Sequence, residues 1–348
     1  MPRFRANRAS IAGRGRIPYP AAMRVYFDAD ADLALIRGRR VAIVGYGNQG
    51  RAQALNLRDS GVAVIIGLPE ESRSRARAAA EGFDVMASAE AAAQADIAVM
   101  LAPDEAQGRI YAESIAPNLR DGAALGFAHG LNIRFGLIEP RADLDVFLVA
   151  PKGPGTALRR EYQQGGGLMS LFAIAQDASG GTEVLALAYA AAIGSGRVGI
   201  LPTSFAEECE ADLFNEAAVL WGAIPELIQA GFDTLVEAGF SPEIAYFECL
   251  TEVKLISDLI YERGIAGMRE AISNTAEFGA LEGGRRIVTA RTRTEMRRIL
   301  KEVRSGRLVQ ALVEDAAAGY PRLERSRAEA RAHPIEAVGR GLRDLKPG

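Results

Sequence analysis

Asp212 and Glu216, and again Glu248 and Glu252, are carboxylate pairs four residues apart, so each pair shares one face of a helix. Val219 and Ala223 continue the first register, and Leu255 and Leu259 the second. Both pairs are therefore expected to head stripes that face a core. Unpaired carboxylates buried there cost several kcal/mol each, so four that converge call for a hard divalent cation. Oxygen-only ligands suit Mg²⁺ or Mn²⁺ rather than zinc. Upstream lies the string Gly45-Tyr46-Gly47-Asn48-Gln49-Gly50. Such a turn cradles a dinucleotide only between a strand and a helix.

That context is present. Apolar runs at 41–44, 62–67, 97–101, 124–127, 146–149 and 171–175, with another near 198–201, alternate with helical stretches at 49–60, 74–81, 88–95, 104–115 and 184–193. The alternation predicts an α/β Rossmann-type domain whose parallel sheet is joined by crossover helices. From about residue 205 the sequence reads as amphipathic helix, punctuated by Gly231, Gly239 to Pro242, Gly264 and Gly283-Gly284. The expected division is a nucleotide-binding domain over 23–203 and an all-α domain over 204–348. Residues 1–22 carry five arginines and no acid, with no apolar segment of a secretory signal, and read as a disordered extension or an upstream start before Met23.

In the glycine-rich turn, Gly45 permits the tight bend, Gly47 lets a pyrophosphate approach the backbone, and Gly50 lets the helix close on the strand. The residues after the second strand, Leu68 to Arg75, set the cofactor. Ser72, Arg73, Ser74 and Arg75 could hold the 2′-phosphate of NADPH, whereas Glu70 or Glu71 could accept from the free 2′-hydroxyl of NADH. The balance tips slightly towards NADPH.

A net charge of -3, with bases scattered among acids, gives no footprint for nucleic acid, and no apolar run approaches the roughly 20 residues of a membrane helix. The expected partner is a small-molecule substrate. Cys209 and Cys249 form no ligand set or disulfide framework and suit a reducing, cytoplasmic compartment. The basic residues are almost all arginine, which makes Lys152, in the turn Ala150-Pro151-Lys152-Gly153-Pro154-Gly155, a candidate for a tunable ammonium. His129 follows a predicted strand, where packing and catalysis are both open; His333 reads as surface.

Taken in order, the Gly45–Gly50 turn, Phe127-Ala128-His129-Gly130, the Lys152 turn, Ala211-Asp212-Leu213-Phe214-Asn215-Glu216, Tyr246-Phe247-Glu248-Cys249-Leu250-Thr251-Glu252 and Ile272-Ser273-Asn274-Thr275-Ala276-Glu277 resemble ketol-acid reductoisomerase of the short class, from about Met23 to Leu345. The resemblance implies a knotted helical domain intertwined with a second copy in a homodimer or higher oligomer, and an active site shared between protomers. It implies that Asp212, Glu216, Glu248 and Glu252 bind two Mg²⁺, that Ser273 holds the substrate carboxylate, and that His129 and Lys152 flank the reacting centre. Glu252, or a water on Lys152, would carry the proton. It also implies cofactor contacts from Tyr46 to Gln49, Ser72, Ser74, Asp104, Glu105, Ala106, Gln107 and Gly155, and a reaction in which 2-acetolactate or 2-aceto-2-hydroxybutyrate undergoes alkyl migration and then reduction by NAD(P)H, in valine and isoleucine synthesis.

Some positions depart from the family's pattern. Asn48 stands for a common Ser, Arg51 and Gln53 for His, Pro69 for an Arg frequent in NADPH-preferring members, and Thr156 for a frequent His. Asn215, Trp221 and Pro225 replace mostly smaller or more polar residues. A paralogue acting on another branched keto acid therefore stays open. So do two rivals, a β-hydroxyacid or imine reductase, which needs no carboxylate cluster, and a nucleotide sensor that has lost the reaction.

Overall fold

The computed structural model describes residues 23–344. The reading of residues 1–22 as an extension lies outside them. The strands are β1 Arg40–Val44, β2 Ala63–Gly67, β3 Asp84–Met86, β4 Ile97–Met100, β5 Ala124–Phe127, β6 Asp145–Pro151, β7 Ser170–Gln176 and β8 Ile200–Pro202, in the sheet order β3-β2-β1-β4-β5-β6-β7-β8. The five pairings among β1 to β6 are all parallel, as the alternation of strands and helices implies. β7 corrects the all-parallel expectation, because it runs antiparallel to β6.

Strand residues alternate between two cores, as a period of two requires. Val41, Ile43, Val99, Phe147 and Val149 face the helices Asn48–Asp59 and Thr182–Ala192, while Ala98, Met100, Leu125, Phe127 and Leu148 face Tyr111, Ile115 and Phe205. With both faces covered, β6 is buried along its whole length. Among the elements that the sequence reading does not contain are the three-residue β3 and the helix Gly155–Gln163.

The helical region opens at Phe205, where the Ser204 side chain accepts from the Glu207 amide and caps the helix Phe205–Asn215. The expected breaks fall unevenly. Gly264 does break its helix, with φ 69°, but Gly231 sits inside Ala223–Glu237 and Gly283-Gly284 inside Asn274–Ile287. Among the described residues three π-helical turns occur, at Tyr111–Ile115, Glu216–Leu220 and Phe247–Thr251. The last two contain Glu216 and Glu248. Turns of this kind favour functional sites, because the extra residue re-aims a side chain.

The helices Glu252–Glu270 and Asn274–Ile287 bury no residue. Leu255, Ile265, Phe278 and Ile287 are each at least 60% exposed, and Tyr261 is 93% exposed. The stripe below Glu248 and Glu252 therefore does not meet a core within one chain, contrary to its register. An apolar surface this extensive marks an interaction face.

Candidate active site

The C-terminal edge of the sheet gathers the chemistry, as it does wherever parallel strands point their loops to one side. β1 delivers the glycine-rich turn, β5 delivers His129 and β6 delivers Lys152. Gly45 adopts φ 105°, and a Cβ there would lie 2.5 Å from the Ala102 amide, so only glycine fits. A cavity of about 1130 Å³ runs from Gly45, Tyr46, Gly47 and Gln49, past Ser72, Ser74, Asp104, Ala106 and Gln107, to His129, Lys152, Asp212 and Glu216. Asn48 and Gly155 line a smaller adjoining cavity of about 230 Å³.

The helix Phe205–Asn215 closes on His129-Gly130 so tightly that a Cβ on Gly130 would collide with the Phe205 carbonyl. This approach inserts Glu208, a residue that the sequence reading did not single out. Glu208 is 1% exposed and accepts from the Gly130 amide at 3.0 Å and the Lys152 ammonium at 2.8 Å. Its Oε2 lies 3.2 Å from His129 Nδ1. Lys152 also donates to Asp212 at 3.2 Å, and His129 Nδ1 is 3.6 Å from Asp212. His129, Glu208 and Asp212 offer ligand atoms within 4.8 Å of one another, the one such group among the described residues. Although Glu208 is near, His129 Nδ1 has no well-directed hydrogen bond.

Burial alone would raise the Glu208 carboxyl, but His129 and Lys152 reverse this and hold it below the usual carboxylate range. Burial opposes charge on Lys152, and Glu208 and Asp212 outweigh it, so the ammonium stays protonated above its ordinary range. His129 behaves alike: burial disfavours its cation, yet Cys209, Glu208 and Asp104 push it up to about 11. Glu216 moves upwards, first through burial and then through the Asp212 charge. Glu216, beside Asp212 on a helix face that opens into the cavity, is thus an acid short of positive charge. A hard divalent cation would supply it.

Not every expected contact is available. Tyr46 is 2% exposed and donates its hydroxyl to Glu81 at 2.5 Å. Gln107 is buried, donating to Ala102 and Asp104 and accepting from Asn132. Glu105 accepts from the Tyr320 hydroxyl at 2.7 Å. Arg75 donates to the carbonyl oxygens of Leu68 and Val85, so it is tied to the loop rather than offered to a phosphate. Arg73 is exposed and does not line the cavity. Glu248, Glu252 and Ser273 are also exposed and do not line it, and Ser273 caps the helix Asn274–Ile287 by accepting from the Ala276 amide.

Residues 35–199 match the acetohydroxy acid isomeroreductase NADPH-binding domain, and residues 205–347 match the ketol-acid reductoisomerase C-terminal domain. The chain belongs to the ketol-acid reductoisomerase family. A solved NADH-preferring ketol-acid reductoisomerase from an uncultured archean is 42% identical, with TM-score 0.91 over 94% of this chain and 100% of that one. Two more distant structures share the fold. They are a semialdehyde dehydrogenase NAD-binding protein from Cupriavidus necator (19% identity, TM-score 0.59, 77% of this chain and 99% of that one) and a putative oxidoreductase from Jannaschia sp. CCS1 (17%, 0.58, 77% and 97%). Membership makes the protein an NAD(P)H-dependent oxidoreductase and isomerase, with a Rossmann-type domain followed by a helical one. No helix among the described residues is long and apolar enough to cross a membrane.

Proposed function

We propose that the protein is a Mg²⁺-dependent, cytoplasmic ketol-acid reductoisomerase that converts 2-acetolactate or 2-aceto-2-hydroxybutyrate into the 2,3-dihydroxy acid in valine and isoleucine synthesis. The observation that carries this reading is the continuity of one cavity from the dinucleotide turn to the Lys152–Glu208–His129–Asp212 cluster. A simple hydride-transfer reductase has use for an acid such as Lys152 but not for the carboxylates Glu208, Asp212 and Glu216 gathered around it, and a nucleotide sensor has use for neither.

Bound divalent cations would make the C2 hydroxyl acidic and draw electrons from the adjacent ketone. Asp212 and Glu216 are the residues of this chain that would hold them. The alkyl group then moves with its electron pair from C2 to C3, the hydroxyl oxygen becomes the C2 carbonyl, and the former C3 carbonyl oxygen takes up a proton. Lys152, an ammonium held between Glu208 and Asp212, is placed to hold or return that proton, and buried Glu208 keeps it aimed. His129, on the other side of Glu208, fixes the cluster's charge. Bound NAD(P)H would supply hydride to the new C2 carbonyl, and the C2 oxygen would take a proton from the Lys152 ammonium, which solvent then restores.

Glu248, Glu252 and Ser273 enter this scheme from a second copy. In one chain they sit on helices that bury no residue, and the exposed apolar stripe beside them fits a homodimer interface, which would bring the second carboxylate pair to the cavity. NADPH and NADH are both used, with a modest preference for NADPH. Ser72 and Ser74 face the cavity, while Arg75 is committed to the loop, so Arg73 is left as the basic residue for the 2′-phosphate. The relative from the uncultured archean prefers NADH.

The test is spectrophotometric. Oxidation of NADPH or NADH with 2-acetolactate is expected in the presence of Mg²⁺ and not after chelation. Turnover that ignores chelation would favour a metal-free reductase, and none under any combination would favour a sensor.

A further inference from the structure

The carboxylate end of the cavity has an apolar wall made by Ile110, Leu213, Leu220, Trp221 and Leu312. Trp221 is the largest of these and is 68% exposed. With the four aliphatic side chains beside it, this open indole makes a contiguous apolar patch at the cavity mouth, and such patches mark binding grooves.

Local backbone geometry fixes its place. Glu216–Leu220 is a π-helical turn, so the Trp221 amide donates to the Glu216 carbonyl at 3.1 Å, with Gly222 donating to the same oxygen at 3.0 Å. This i to i+5 closure sets Trp221 one turn beyond Glu216 on the same face. A Cβ at Gly222 would collide with the Ala217 carbonyl, so the turn can be left only through glycine. Trp221 and Glu216 both line the cavity. The apolar ring is thereby held beside one of the acids that face the substrate's hydroxyl.

We propose that Trp221 determines substrate specificity, closing the pocket around the migrating alkyl group so that a small substituent at C2 is favoured over longer ones. The inference rests on the function proposed above. In a 2-hydroxy-3-keto acid the hydroxyl and the migrating group share C2. A hydroxyl turned towards Asp212 and Glu216 therefore leaves the alkyl group within reach of the indole. One methylene in an apolar pocket is worth about 10- to 200-fold in selectivity, and removing an indole opens more room than one methylene fills.

The experiment compares kcat/KM for 2-hydroxy-3-keto acids bearing methyl, ethyl or propyl at C2, in wild type, Trp221→Ala and Trp221→Phe, with Mg²⁺ and saturating NADPH. Trp221→Ala is expected to raise the propyl-to-methyl ratio by about tenfold or more. Trp221→Phe keeps an aromatic wall without the N–H, so it should stay within about threefold of wild type. An unchanged ratio in the alanine variant would overturn the proposal while leaving the reductoisomerase reading intact. Wild type that turns over none of these acids would remove both.

A second readout does not depend on turnover. Trp221 is the chain's one tryptophan, so its emission reports on the pocket alone. Titration of wild type with the methyl-series dihydroxy acid product should change that emission in a saturable way. A flat response would overturn the proposal. So would an alanine variant that loses oligomeric state in light scattering but keeps its selectivity, which would make the residue part of an interface.

Discussion

The helices Phe205–Asn215 and Glu252–Glu270 both carry acids one turn apart, yet they end in opposite environments. On the first, Glu208 is sealed against Gly130, Lys152 and His129, and Asp212 shares the same ammonium. On the second, Glu252 is exposed, as is Glu248 in the turn before it, and apolar neighbours lie open beside them. The first region is organised, with Lys152 and His129 set against Glu208 and Asp212, and only Glu216 is left to a cation from outside. The second resembles a domain core cut open, and on the function proposed above its acids gain their role when a second copy covers that core. A shared active site has this physical signature within a single chain.

Substitutions at the organised half should do the greatest damage. Glu208→Gln leaves Lys152 and His129 without their buried counter-charge, and kcat is expected to fall about 1000-fold with NADPH affinity nearly unchanged. Steady-state kinetics beside an NADPH titration would show this; near-normal kcat would break the contrast by making Glu208 merely structural. At the open half, Ile265→Asp combined with Phe278→Asp should shift the protein to monomer in analytical ultracentrifugation and abolish turnover, while the Rossmann half still binds cofactor. A fully active dimer carrying both charges would show that the apolar stripe serves something else.

Smaller effects belong to the cofactor end. Arg73→Ala should raise KM for NADPH about tenfold and leave KM for NADH nearly unaltered, since only the former carries the 2′-phosphate. Equal effects on the two would remove Arg73 from phosphate recognition. Beneath the dinucleotide turn, Glu81 accepts from Arg51 and Tyr46, and Arg51 first of all holds its carboxylate below the usual range against a burial that pushes it up. With the folded pKa depressed, its stabilisation is present above the ordinary carboxylate range and is lost as pH falls through the folded value. The Tm gap between wild type and Glu81→Gln should therefore narrow from about pH 6 to about pH 3. A gap that does not change with pH would mean that the lost contact is packing rather than charge.

Much of this arrangement is legible in the sequence, and the exceptions have causes. β4, β5 and all of β1 after Arg40 are apolar runs buried on both faces, so their positions are plain. β3 has three residues, an exposed Asp84 among them, and gives no period to detect. The direction of β7 is not written in its apolar pattern, because a strand covered on both faces looks the same either way round. The helix Gly155–Gln163 begins after a proline-glycine turn and carries a polar face that masks it. At the site, Asp212 and Lys152 were legible from residue type and setting. Glu208 was not, although it precedes Asp212 by four and completes the series Glu208, Asp212, Glu216. It lies in the acidic run Glu207-Glu208-Cys209-Glu210, which reads as a solvated face until Gly130 is seen to admit the helix. Arg75 looked like a phosphate ligand, because sequence does not reveal which carbonyl oxygens a side chain will find.

The central claim is that acids from two copies complete one site, and complementation tests it most directly. Asp212→Asn and Glu252→Gln, each inactive by itself, would be co-expressed with different affinity tags and the mixed assembly assayed for Mg²⁺-dependent turnover. Random pairing places both intact acids in one site of each mixed dimer, so about a quarter of wild-type activity should return before separation of the species. Activity no greater than that of the single variants, in an assembly shown to contain both chains, would contradict the account.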